Sequence, residues 1–239
     1  TRSQSHLCAL VSAAVAYLQK HLGHVFADQR LCQQALTHRS HNTHHNERLE
    51  FLGDAVLDFL VAEQLYRRYP SATEGELSRM RAHVVRGEQL AKLGETLQIA
   101  DWILLGAGEE NAGGRQRSSL IADVVEALIA AVYLDGGLEK CREVVQRLFT
   151  PVLENLTPSV GKDAKTTLQE YLQSRHLPLP VYELVARGGS DHSATFTMAC
   201  FVEALKVREE SIASSRKQAE QLAAKKILQK LGLSVGSMS

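Results

Sequence analysis

The spacing of apolar positions is helical along the first two thirds of the chain and mixed after that. The run Leu7 to Leu18 continues into Gln19-Lys20-His21 and stops at Gly23, a helix-ending residue. Ser12 within it and that polar continuation make it an ordinary first helix rather than the apolar region of a secretion signal, although Arg2 precedes it. A second helix starts on Asp28 as its cap and runs through Leu31, Ala35 and Leu36. A polar connector, Thr37 to Asn46, leads to a long helix that ends at Tyr69 because Pro70 cannot continue it. Along that helix Leu49, Phe51, Leu52, Val56, Phe59 and Leu60 read as the buried side. Then come an arginine-rich helix behind Glu74 and Glu76, and a helical pattern from Glu88 to Leu97. A Gly-rich stretch at 106–117 lacks the spacing of a phosphate-binding motif and reads as a loop. Two further helices, 119–135 and Leu138 to Leu156, close this part.

The pattern changes at Thr157. T-P-S-V-G-K has the Pro, Gly and Ser of a linker. A short helix over 163–175 precedes H-L-P-L-P, and strand-like runs follow at Val181–Arg187, Thr195–Val202 and Ala204–Arg208, with the turn G-G-S-D-H-S between the first two. The last helix has Ala219, Leu222, Ala223, Ile227 and Leu231 on its apolar side. The expected architecture is an all-α N-terminal domain over 1–156, a linker at 157–161, and a small α+β domain over 162–239 in the order α-β-β-β-α.

Composition sharpens the division. A chain of 239 residues, 44% hydrophobic and 23% charged, has the makeup of a soluble globular protein with room for two domains. A net charge of zero argues against a nucleic-acid partner until the halves are separated. Residues 1–156 hold 16 Lys+Arg against 19 Asp+Glu, a net of −3, and residues 157–239 hold 11 against 8, a net of +3. No apolar run approaches the roughly 20 residues of a membrane span. Cys8, Cys32, Cys141 and Cys200 match no zinc spacing and read as reduced core residues of a cytoplasmic protein.

The chemistry lies in the carboxylates. N-E-R-L-E-F-L-G-D-A-V-L, from Asn46 to Leu57, places Glu47, Glu50 and Asp54 three and then four residues apart, on one helix face. Such a stripe is either a solvated face or a ligand set for a hard divalent cation. The helix at 119–135 breaks the tie. It is hydrophobic nearly all round, so it is buried, yet it carries Asp123 and Glu126 at i, i+3. Buried acids are costly unless paired or coordinated, and a carboxylate-lined metal site between two packed helices explains both sets. Asp58 would extend the stripe by a turn and reads as surface. His38, His41, His44 and His45 have a transition-metal reading, but they lack a helical pair spacing and read better as a solvated connector, from which Arg39 and Ser40 can brace the acidic helix. Arg79, Arg81 and Arg86 have two readings, as phosphate contacts or as partners of nearby acids.

N-E-R-L-E-F-L-G-D, preceded by A-L-T-H-R-S and followed by E-L-S-R-M-R-A and A-D-V-V-E-A-L, resembles bacterial ribonuclease III in order over nearly the whole chain. The resemblance implies a homodimeric endonuclease that cleaves double-stranded RNA to 5′-phosphate and 3′-hydroxyl ends, in processing of rRNA precursors and other structured transcripts. It implies Mg²⁺ as cofactor, with Mn²⁺ as a substitute. Glu50, Asp123 and Glu126 match the metal-holding acids, and Asp54 matches the aspartate that organises the water at the metal. Asp54 and Glu126 would be the catalytic pair, with Glu47 and Glu74 as outer carboxylates. The C-terminal part resembles a double-stranded-RNA-binding domain, which implies Gln169, Gln173 and His192 at minor grooves and Arg216 and Lys217 on phosphates, with Lys225 and Lys226 further along. Ser211 and Ala213 stand where that family often has glycines, which leaves open the shape of the turn into the last helix. Two alternatives remain. A non-cleaving double-stranded-RNA-binding regulator is opposed by the complete set of acids, and a helical metal-dependent hydrolase of small nucleotides leaves the basic part without a purpose.

Overall fold

The structure, a computed structural model, describes residues 2–158, 160–189 and 194–233. It divides into two compact units, Thr1–Leu156 and Thr157–Ser239.

The first unit is helical: α1 (Arg2–Leu22), α2 (Gln29–Ala35), α3 (Glu47–Arg68), α4 (Glu74–Val84), α5 (Gly87–Thr96), α6 (Ile99–Trp102), α7 (Ala107–Asn111) and α8 (Ser118–Glu154). Local chemistry sets several of these ends. Gly23 takes a left-handed φ of 69° just past α1. The Asp28 side chain accepts from the Arg30 amide at the start of α2. Thr73 and Glu76 form a reciprocal capping box on α4. Within α8, Gly137 is non-helical at φ 76° and ψ −179°, so the element is two helical halves, as the sequence pattern expects.

The first half of α8 is the centre of this unit. Val124, Val125, Ala127 and Leu128 to Val132 are all buried, because α2, α3 and α5 pack around it. From α3 the buried residues are Leu49, Gly53, Leu57, Leu60, Val61 and Leu65, a single stripe at helical spacing. Gly53 is there for space: a Cβ built on it would lie 1.9 Å from the Glu126 carbonyl oxygen, so the two helix backbones touch at this point. At the far end of the first half of α8, buried Asp135 receives the amides of Ala27 and Asp28 and pairs with buried His24 at 2.8 Å, tying the α1–α2 connection to α8.

Two expectations fail here. Phe51 and Phe59 are 81% and 52% exposed rather than buried, and Leu52 and Val56 are only half-buried. The stripe facing α8 runs through 49, 53, 57 and 60–61, which turns the phenylalanines outward, where Tyr66 joins them. Nor is 106–117 a plain loop. It folds as α7 and a 3-10 turn at Gly114–Gln116, fastened by Arg115, which pairs with Glu110 and donates to the Ala100 and Ile103 carbonyls, and by the Arg117–Glu109 pair.

The second unit runs α9 (Ala164–Ser174), β1 (Val181–Gly188), β2 (Thr195–Val202), β3 (Val207–Ala213) and α10 (Arg216–Lys230), with an antiparallel sheet in the order β1-β2-β3. Its core joins Leu168 and Leu172 of α9 to Cys200 and Val202 of β2 and to Ala223, Ile227 and Leu228 of α10. The third strand lies later than Ala204–Arg208, because Glu203–Leu205 form a 3-10 turn and Lys206 is left-handed at φ 51°. The chain reversal uses those residues, and the ladder resumes at Val207. Ser211 and Ala213 are therefore ordinary ladder residues, opposite Met198 and Phe196. Leu222 is 39% exposed, while Ala224 and Leu228 take the inward positions. Cys32, Cys141 and Cys200 are free and buried. No described helix is long and apolar enough to cross a membrane.

Gly53→Ala tests the central contact. Helix propensity alone would stabilise by about 1 kcal/mol, but the new methyl meets backbone, which cannot swing aside as a side chain can. Overpacking of this kind costs about 1–3 kcal/mol or more, so a net loss and a melting point lower by several degrees are expected on thermal unfolding. A melting point at or above wild type would contradict the close approach.

Candidate active site

The contact at Gly53 brings two helices' acids together. Glu50 lies one turn before Gly53 and Asp54 directly after it on α3, while Asp123 and Glu126 lie on the facing half of α8. One carboxylate oxygen each from Glu50, Asp123 and Glu126 fall within 4.8 Å of one another, and all three residues are half-buried. The two helices thus supply one ligand set that neither carries alone.

Burial and mutual repulsion disfavour the charged forms here. Glu126 is pushed up to about 8 by burial first, then by the charges of Asp54, Asp123, Glu50 and Asp58. Burial also raises Glu50, helped by Asp123, Glu47 and Asp54. Asp123 is raised by burial, partly offset by His38. A donor set made only of carboxylate oxygens, crowded so closely that its members suppress one another's ionisation, fits a hard divalent cation and does not suit a soft metal.

The other predicted acids stand around this group. Asp54 is exposed, near enough to raise Glu50 and Glu126 but outside the three-residue cluster. Glu47 is exposed and accepts from Arg39 Nη1 at 3.0 Å, with His45 Nδ1 at 3.7 Å, so Arg39 does brace the acidic helix. Ser40 braces a different element: its Oγ accepts the Gly106 amide at 2.9 Å. Glu74, on the first turn of α4, accepts from Ser78 Oγ at 2.7 Å and is not in the cluster. The sequence reading missed two contributors. Asp58, taken as surface, adds to the field on Glu126 and pairs with Arg81 at 3.8 Å, and its four-residue step from Asp54 was the available signal. His38, taken as connector, is the charge that partly offsets the burial of Asp123, and no spacing in the sequence announces that proximity.

In the second unit Gln169 and Gln173 are exposed, one turn apart on α9, next to the buried Leu168 and Leu172. Arg216 and Lys217 open α10, exposed, behind the cap Ser215. Lys226 donates to the Glu210 carbonyl at 2.6 Å, fastening α10 to β3, and Lys225 is half-buried. His192 lies outside the described residues.

Comparison with known proteins agrees with this arrangement. Residues 28–153 match the family model described as Ribonuclease-III-like, and residues 164–231 match the double-stranded RNA binding motif. The chain belongs to the ribonuclease III family. It is 49% identical over 217 residues to Ribonuclease 3 of Bordetella avium, covering 90% of this chain and 86% of that one. It is 50% identical over 213 residues to Ribonuclease 3 of Dechloromonas aromatica, covering 89% and 96%. A solved nuclease domain of ribonuclease III from Campylobacter jejuni, described for its region involved in dimer formation, superposes with a TM-score of 0.55 at 40% identity, covering 56% of this chain and 95% of that one. This ribonuclease III family member is therefore an endoribonuclease with a double-stranded-RNA-binding domain. The family is metal-dependent, and the three-acid cluster is where a metal fits.

The raised Glu126 makes a pH prediction for the metal-free protein. Its carboxyl releases a proton near 4.5 when unfolded and near 8 when folded, so between those values the folded state binds more protons. The associated stability is complete below the lower value and is lost as pH rises toward the upper one. In chelator, the melting point of wild type should fall relative to Glu126→Gln between pH 5 and pH 8, and an added divalent cation should restore wild type at pH 8. A difference between the two proteins that does not change with pH would contradict this.

Proposed function

We propose that this ribonuclease III family member is a Mg²⁺-dependent endonuclease that hydrolyses double-stranded RNA to 5′-phosphate and 3′-hydroxyl ends, with Mn²⁺ as a working substitute. The observation that carries the reading is the meeting of Glu50, Asp123 and Glu126 within 4.8 Å. In this reading those three residues hold the ion. When bound there, the cation neutralises charge developing on the scissile phosphoryl group and lowers the pKa of neighbouring water. Asp54, exposed on the next turn of α3, accepts a hydrogen bond from the attacking water and aims it at phosphorus. Attack breaks the bond to the 3′ oxygen, which leaves with a proton. Glu47, held by Arg39, and Glu74 act as outer carboxylates. Residues 1–156 are the catalytic domain, 157–161 the linker and 162–239 the binding domain. The latter grips A-form shape through Gln169, Gln173 and His192 at minor grooves and Arg216 and Lys217 on phosphates. Substrates of this form include rRNA precursors and other structured transcripts, and the free thiols Cys32, Cys141 and Cys200 suit the reducing cytoplasm in which those are processed.

The enzyme acts as a homodimer in this reading. Phe51 projects from α3 at 81% exposure, and the same molecule has an apolar groove of about 640 Å³ whose lining includes Phe59, Leu65, Tyr66, Ala72 and Leu77. A projecting ring and an apolar groove on the same molecule can serve as the two complementary halves of a two-fold interface. The Campylobacter jejuni nuclease domain, too, has a region involved in dimer formation. Glu74 also lines this groove. Since Phe51 adjoins Glu50, seating the ring of one copy in the groove of the other would bring Glu74 toward the second copy's acid cluster, which gives that outlying carboxylate a role.

Incubating the protein with a long RNA duplex should give short duplexes in Mg²⁺ and none in EDTA, with single strands spared. A duplex shifted but uncut on a gel in Mg²⁺ would defeat the assignment. Glu126→Gln should lower the cleavage rate at least about a hundredfold, since it removes a ligand worth several kcal/mol, while duplex affinity stays nearly unchanged. Phe51→Asp should convert the protein to a monomer in sedimentation, and a dimer unchanged by that substitution would place the interface elsewhere.

A further inference from the structure

A cavity of about 340 Å³ lies between the end of α3 and the second half of α8. Glu63, Gln64, Arg67 and Arg68 line it from α3, and Arg142 and Gln146 from α8. Asp54 precedes Glu63 by nine residues on α3, which at 1.5 Å per residue is about 14 Å along the helix. None of Glu50, Asp54, Asp123 and Glu126 borders the cavity. It is therefore separate from the acid cluster.

Its walls carry more positive charge than the protein neutralises. Glu63 accepts from Arg67 Nη2 and from Arg142 Nε, each at 2.8 Å and each on its own carboxylate oxygen. Arg142 Nη1 also pairs with Glu139 at 2.5 Å. Glu63 thus works as a splint that fixes two guanidiniums, and Arg142 keeps Nη2 without a partner among the described residues. Arg68 is exposed and has no carboxylate partner among the described residues; its contact is the Tyr69 ring, 5.9 Å from the guanidinium carbon. Three arginines against Glu63 and Glu139 leave one positive charge unmatched. The Gln64 amide nitrogen adds an unanswered donor, buried and without a hydrogen-bond partner among the described residues. A buried donor left unpaired carries its whole desolvation cost, so such a group calls for an explanation. The last torsion of glutamine is soft, and a turn of the amide offers that nitrogen to an acceptor in the cavity.

The acceptor these walls suit is a compact polyanion. A carboxylate has two oxygens in one plane, and two guanidiniums satisfy it, as Glu63 shows. Donors that arrive from two helices match instead the three oxygens of a phosphoryl group. The volume exceeds that of a bare phosphate and falls in the range of small-ligand sites.

We propose that this cavity binds a small phosphate-bearing molecule, its phosphoryl group held by Arg68, by Arg142 Nη2 and by the Gln64 amide. The ligand ties the end of α3 to the second half of α8, beyond the non-helical Gly137.

The test is calorimetric titration of the full chain with inorganic phosphate and with adenosine monophosphate, at constant ionic strength. EDTA is present, so that no metal at the acid cluster can hold the anion. Saturable binding is expected. Arg68→Ala, which breaks no ion pair, should weaken it about tenfold through loss of one charge-assisted contact. Arg68→Lys should recover only part, because a lysine keeps the charge but not the fork. Gln64→Leu keeps the bulk without the donor and should weaken binding about threefold to tenfold. If that variant unfolds by circular dichroism, the two Arg68 variants decide alone. Tighter binding of the mononucleotide than of phosphate would support a nucleoside in the rest of the cavity, and equal binding would support phosphate itself as the ligand. Arg68→Ala should leave duplex cleavage in Mg²⁺ unchanged, so failure here is distinct from failure of the nuclease reading. Absence of binding to wild type would overturn the proposal. So would binding of both probes that is unchanged in Arg68→Ala, and a fall in duplex affinity in its place would assign the arginine to the RNA path.

Discussion

The contact of α3 with α8 at Gly53 and the Glu126 carbonyl is the constraint on which the catalytic unit depends. Helices normally approach to 8–10 Å between axes, with side chains at the contact setting the distance. Where one contributor has no side chain, backbone meets backbone. That closeness lets carboxylates one turn to either side of the contact share one small space. It also leaves the first half of α8 covered on nearly all sides, so its remaining positions must be apolar. Core and site are thus two consequences of one packing decision.

The same closeness has an electrostatic cost. Burial and like charges together make Glu126 and Glu50 resist ionisation, and burial does the same for Asp123 against the opposing His38. Among the described residues His38 partly offsets the burial of Asp123, while Arg39 is committed to Glu47 and Arg81 to Asp58 at the margin of the cluster. A site that is poor at holding its own negative charge is one where a divalent cation gains most, and functional sites are where such unrelieved strain is retained. The His24–Asp135 pair shows the contrast. There a buried acid side chain receives two amides and a histidine, both carboxylate oxygens are engaged, and the result is a structural tie rather than a ligand site.

The second unit deals with charge differently. Its core is a sheet face covered by two helices, and its cations are displayed at element ends rather than buried. Duplex RNA offers shape and phosphate, and such a partner calls for displayed donors at fixed spacing more than for an enclosed pocket.

What was legible in the sequence was whatever depends on near neighbours along the chain. Helical and strand periods, the cap at Asp28, the stop at Pro70 and the stripe of Glu47, Glu50 and Asp54 are all local. The pairing of acids across two helices was also inferable, because Asp123 and Glu126 on an apolar helix conflict with burial unless something answers them. Tertiary structure alone decided the rest. Several faces of α3 are apolar, so periodicity could not say whether Phe51 and Phe59 or Leu57 and Val61 turn inward; the packing against α8 chose the second set. The left-handed Lys206 moved β3, a choice that depends on ladder registration with β2 rather than on residue type. Asp58 and His38 gained their significance from neighbours far away in sequence, through the field they exert on Glu126 and Asp123. Local sequence sets which surfaces a segment can present, and only the close approach of distant segments determines which surface is used and which charges must share a space.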